Sequence, residues 1–127
     1  MFPNQIWAGK QKGDDMEINI IDLKSSDIPC RKKLTIKDET FLLDIKYRGY
    51  DERLVVDLYD EFENILGVGE KLVFGVPVFY YMLFDTKGNY NAKFPKQYII
   101  PWSEDGKEKE INLENLGKEW FLGIFDI

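Results

Sequence analysis

Thr40-Phe41-Leu42-Leu43-Asp44-Ile45-Lys46-Tyr47 places Phe41, Leu43, Ile45 and Tyr47 on one face of an extended chain, with Asp44 and Lys46 on the other. Side chains of a strand alternate between its faces, so this period of two predicts a strand with one face in a core. Upstream, Arg31 to Ile36 reads as a second, partly basic strand, and Lys37-Asp38-Glu39 is the tight polar turn between the two. Downstream, Tyr50-Asp51-Glu52 is the next turn. Arg53 to Tyr59 follows, with Leu54, Val56 and Leu58 on one side and Val55, Asp57 and Tyr59 on the other. Asp60 to Asn64 connects into Ile65-Leu66. Gly67 and Gly69 bracket Val68 as a bulge or turn, and Lys71 to Phe74 resumes the extended pattern up to Gly75.

The flanks continue in the same style. Met16 to Ile20 alternates apolar with polar residues, and Ser25-Ser26-Asp27-Ile28-Pro29 breaks that strand. Val76 to Phe84 is apolar on both faces, which predicts a strand buried on both sides. Asp85 to Asn89 is a glycine turn, and 91–109 reads as irregular because of Pro95 and Pro101. Asn112 to Leu116 is expected to form one helical turn closed by Gly117, and Trp120 to Phe125 is the last strand. The fold class is all-β: a small antiparallel sandwich or barrel of seven to eight strands with at most one short helix.

With 127 residues the chain has room for one domain, and about two-thirds of its extended surface is buried on folding. There is no His, which removes the commonest general base and metal ligand, and a single Cys removes disulfide frameworks and cysteine-based zinc sites. The net charge of −6 argues against binding nucleic acid through a basic surface. That charge is local: residues 51–70 hold seven acids and one base, while the remaining residues carry equal numbers of each sign. No run of residues approaches the length of a membrane span.

Motifs with chemistry are sparse. Gly67-Val68-Gly69 lacks the third Gly and the Lys-Ser/Thr ending of a phosphate loop. Asp57, Asp60, Glu61 and Glu63 lack calcium-loop spacing, so no metal, cofactor or catalytic residue is assigned. They read either as a solvated loop or as a surface that faces other negative charge without adhering to it. Cys30 precedes Arg31, Lys32 and Lys33, which are expected to lower the pKa of its thiol. The aromatic run Phe79-Tyr80-Tyr81 reads as core plus interface. Lys12 to Met16 can be encoded as a ribosome-binding sequence ahead of a start codon. Residues 1–15 are therefore taken as an N-terminal extension and 16–127 as a single β domain.

From Met16 onward the chain resembles the small baseplate plug proteins of contractile phage tails. The features run in order: the break Asp27-Ile28-Pro29, the hairpin Leu34 to Tyr47, and the acid-ended strand Leu54 to Asp60. The Gly-framed segment Gly69 to Val78, the Gly88 turn, and Leu116-Gly117 followed by Trp120 to Phe125 complete them. One departure is Asp38-Glu39, where the pattern has an Asp-Gly turn. The resemblance implies a structural, non-enzymatic component of the central hub at the end of the tail tube, in a phage or a phage-tail-like bacteriocin. The implied partners are hub, spike and tube proteins, in a ring-like homo-oligomer of three or six copies. Asp57, Asp60, Glu61 and Glu63 would face the lumen, and Phe2, Trp7, Val78, Phe79, Tyr80 and Tyr81 would lie at subunit interfaces. Two other classes stay open: an acidic inhibitor that mimics DNA, and a small β-sandwich ligand-binding module or enzyme.

Overall fold

The computed structural model describes residues 19–127. Seven strands carry the fold: β1 Asn19–Ile20, β2 Cys30–Ile36, β3 Glu39–Arg48, β4 Arg53–Asp60, β5 Ile65–Lys71, β6 Gln97–Trp102 and β7 Phe121–Asp126. They form a four-stranded sheet in the order β2-β3-β4-β5 and a three-stranded sheet in the order β1-β7-β6, antiparallel throughout and not closed into a barrel. The only helical turns among the described residues are two short 3-10 turns, Ser25–Asp27 and Tyr80–Met82. The expected turn at Asn112–Leu116 forms without a helix, held by Asn112 Oδ1 accepting from the Asn115 N–H at 2.8 Å.

The β2–β3 hairpin closes as the polar turn predicts. Lys37 and Asp38 both take positive φ, 50° and 67°, the pair of left-handed residues that lets a two-residue turn follow the strand twist. Asp tolerates this conformation, so the position works without Gly. Leu34, Ile36, Phe41, Leu43, Ile45, Leu54, Val56 and Leu58 face inward from this sheet. With Ile99, Leu122 and Ile124 from the other sheet, and Trp120 just before β7, they make one continuous hydrophobic core. Tyr47 lies beyond that core and is 44% exposed. At Gly67–Gly69 the β4–β5 register slips, so the glycine pair is a bulge.

Three expectations are corrected. Val76 to Phe84 is not a strand. Pro77 has no N–H to offer a ladder, and Phe79 is left-handed at φ 56°, which turns the chain into the Tyr80–Met82 turn. The apolar residues split: Val78 and Phe79 enter the chain's own core, while Tyr80 and Tyr81 stay outside it at 51% and 71% exposure. Conversely, a strand lies inside the region read as irregular. β6 accommodates Pro101 because it is an edge strand and Pro101 turns its missing donor away from β7. The segment after β5 covers that edge, with the Gly75 and Val78 N–H groups donating to the Pro101 and Ile99 carbonyls at 2.9 Å each. The extended pattern expected through Phe74 ends as a strand at Lys71 for the same reason: the chain leaves β5 to reach β6.

The sandwich has two distinct ends. At the hairpin end, Asp126 of β7 meets Lys37 at 3.8 Å and Gln97 at 2.6 Å, and Lys96 approaches Glu39 at 3.8 Å. At the other end lie the β3–β4 turn and the crossing of Leu72 onto Leu54, where N–H and carbonyl are 3.0 Å apart.

Candidate interaction surface

The acid-rich stretch does not fold into a bare acidic face. Asp57 is buried, its Oδ2 2.6 Å from Lys46 Nζ on β3 and its Oδ1 accepting from the Gly69 N–H at 2.7 Å. Asp60 points back into its own hairpin. Its Oδ1 accepts from the Phe62 and Asn64 N–H groups at 2.8 and 2.9 Å, and Asn64 Nδ2 donates to its Oδ2, which holds this carboxyl below its ordinary pKa. Glu63 accepts from Arg31 Nη1 at 3.0 Å. The same guanidinium grips Asp44 at 2.6 and 3.1 Å and lies 4.9 Å from the centre of the Tyr59 ring. Asp51 pairs with Arg48 at 2.7 Å, and Glu70 accepts from the Phe79 N–H. Of the four acids singled out by sequence, only Glu61 is exposed without an ion pair among the described residues. Bases contributed by β2 and β3 offset Asp57 and Glu63, whereas Asp60 is held by its own hairpin; cross-strand pairing is the sheet's ordinary way of placing opposite charges together.

The exposed apolar residues gather elsewhere. Tyr80, Tyr81 and Phe84 (37% exposed) project from the turn after Phe79. Tyr80 sits edge-on to Phe84 at 6.5 Å and tilted against Tyr98 at 6.4 Å, and Phe84 meets the Tyr90 ring at 5.2 Å. The Tyr90 hydroxyl donates to the Pro95 carbonyl, and burial pushes its pKa up to about 12. Linked rings of this kind make a preorganised patch, because Tyr loses few rotamers on being covered by a partner. Of the proposed interface residues, Val78 and Phe79 have no surface left to offer, whereas Tyr80 and Tyr81 do. Phe2 and Trp7 lie outside the described residues.

A second feature went unread in the sequence. An open groove of about 750 Å³ runs across the end of the sandwich at the β3–β4 turn, between Leu72–Phe74 and 108–114. Tyr47, Val73, Ile111 and Leu113 are among its apolar lining, and the exposed acids Glu52, Glu108, Glu110 and Glu114 line it as well. The alternation of acids with Ile111 and Leu113 was the available signal, masked by the absence of any regular element there.

Among the described residues, no group of three or more Cys, Asp and Glu side chains is placed to hold an ion. The expected activation of Cys30 is overturned. Burial raises the thiol pKa, and Lys32 opposes this only in part while Asp27 and Asp44 reinforce it. No helix among the described residues is long and apolar enough to cross a membrane.

A family model described as cyanophage baseplate Pam3 plug gp18 matches residues 18–126 of this chain. No curated protein matches it.

Proposed function

The chain belongs to the cyanophage baseplate plug family, and from that premise we propose that it sits in the central hub at the end of a contractile tail tube, contacting hub, spike and tube proteins. Its role is that of a structural part of a phage baseplate, carried into the virion. The family match over nearly the whole β domain is the observation that carries this reading. In the proposed arrangement, copies of the chain assemble into a ring, and Tyr80 and Tyr81 are covered by a neighbouring subunit, with Phe2 and Trp7 at a further contact. Repulsion of passing DNA rests on Glu61 and the overall charge of −6, because Asp57 is buried against Lys46.

The test is co-expression with the baseplate proteins encoded beside it, followed by size-exclusion chromatography with mass detection. Entry into a large complex containing a hub protein, lost on Tyr80→Ser with Tyr81→Ser, is the expected result. A chain that elutes apart from all of them overturns the reading. In an infective particle, Glu61→Lys is expected to leave assembly intact and slow DNA ejection. Unchanged ejection removes the charge argument.

A further inference from the structure

Opposite charges mark two stretches of main chain that lack partners among the described residues. The first is the outer edge of β2. Ile36 and Glu39 flank the two-residue turn and exchange their hydrogen bonds, so alternate residues Lys32, Leu34 and Ile36 bond to β3. The N–H and carbonyl groups of Arg31, Lys33 and Thr35 turn outward and meet no main chain among the described residues. The other edges are less open: β5 slips register twice, β6 is covered by Gly75 and Val78, and β1 is two residues long. Along β2 the register runs unbroken from Cys30 to Ile36. Arg31 is held by Asp44 and Glu63, whereas Lys33 is exposed and makes no ion pair among the described residues.

The second stretch is 108–111. Exposed Glu108 and Glu110 alternate with half-buried Lys109 and Ile111 as they would in a strand, yet the segment belongs to no sheet. It makes no main-chain hydrogen bond among the described residues. Lys109 is turned to Asp105 at 2.9 Å, and Glu108 and Glu110 make no ion pair among the described residues. A row of unpaired N–H and carbonyl groups is a template for another strand. Basic side chains along such an edge repel most strands and admit an acidic one. The chain cannot join the two stretches within itself. β2 lies at one side of its sheet, while 108–111 stands across the groove from Leu72–Phe74, where the chain leaves β5 at the other side. Three strand spacings of about 4.8 Å put roughly 14 Å of sheet between them.

We propose that the outer edge of β2, at Arg31, Lys33 and Thr35, pairs with residues 108–111 of a second copy of this chain, with Lys33 meeting Glu110 across the joint. The two surfaces differ, so the contact is head-to-tail, the kind that closes into a ring when the rotation between copies permits. This rests on the reading above that copies of the chain assemble with one another.

Full-length variants test it. Lys33→Glu sets like charges against each other, as does Glu110→Lys, and the chain carrying both restores the pair with its signs exchanged. Thr35→Pro leaves the charges alone and removes one outward N–H without touching the ladder to β3. Thermal melts confirm folding, and analytical ultracentrifugation in low salt reads association. The unsubstituted chain is expected to grow in mass with concentration, and each single variant to associate at least tenfold more weakly. The doubly exchanged chain is expected to associate again as the unsubstituted chain does. Should Thr35→Pro fail to fold, the charge exchange alone decides. If the unsubstituted chain associates and the single reversals match it, or the exchanged chain stays as weak as they are, the pairing is overturned while self-assembly stands. A folded Thr35→Pro chain that associates unchanged overturns it as well. If the unsubstituted chain is monomeric at every concentration, both are overturned.

Discussion

Gly67→Ala is the substitution that probes the core most directly. A Cβ at position 67 would lie 2.6, 2.7 and 3.1 Å from Cε1, Cδ1 and Cζ of Phe79. Carbon atoms rest at about 3.5–4.0 Å, so the ring must retreat by roughly 1 Å. It has little room to do so: Phe79 is fully buried, its N–H is held by Glu70 at 3.1 Å, and Phe94 lies against it at 6.3 Å between ring centres. Overpacking of this kind costs about 1–3 kcal/mol. The stiffer unfolded chain returns about 0.4–1 kcal/mol, leaving a net loss of about 1–2 kcal/mol. For a domain of this size that is a fall in Tm of roughly 4–8 °C. Phe79→Leu alone is expected to cost about 1 kcal/mol, and in the double variant the new methyl enters space the ring has vacated. Urea unfolding of the four chains should therefore show a favourable coupling of at least about 1 kcal/mol between the two sites. Gly49→Ala, with nothing within 4 Å of its Cβ, is the control and should stay within about 0.5 kcal/mol. Additive effects at 67 and 79, or a Gly67→Ala chain as stable as its parent, would refute the packing argument.

Lys46→Met strips the partner from buried Asp57 while leaving its Gly69 N–H bond. Since Lys46 is itself half exposed, a loss of about 1–2 kcal/mol by urea unfolding is expected, and less at high salt. Asp105 has its pKa lowered to about 2, first by the Lys107 N–H and then by Lys109 and Ser103. A carboxyl depressed in the fold adds stability above its ordinary value of 3.8, and that contribution disappears as pH falls toward 2. Asp105→Asn should therefore flatten the acid limb of the stability profile over that window, and an unchanged limb would sink the assignment. Cys30, with its thiol pKa raised, should react with iodoacetamide at neutral pH more slowly than a free cysteine and speed up only in alkali. Rapid alkylation at pH 7 would contradict its burial.

What the sequence determined by itself was the set of local periodicities. Phe41, Leu43 and Ile45 alternate because every second side chain of β3 must enter the core, and that requirement is written residue by residue. The turns at Lys37-Asp38, at Asp60 to Asn64 and at Gly88 were legible for the same reason, since their backbone conformations are set within four or five residues. The tertiary structure alone decided the rest. Pro101 breaks a strand when read locally, yet fits β6 because the edge position turns its missing donor toward Gly75 and Val78. Val76 to Phe84 looked like a buried strand because its apolar residues are contiguous. Their division between core and surface follows from the left-handed backbone at Phe79 and its contact with Gly67 across the bulge. The acidic segment looked uncompensated because Arg31, Lys46 and Arg48 are distant from most of it in sequence. Coulomb energy depends on distance in space, and strand pairing set those distances.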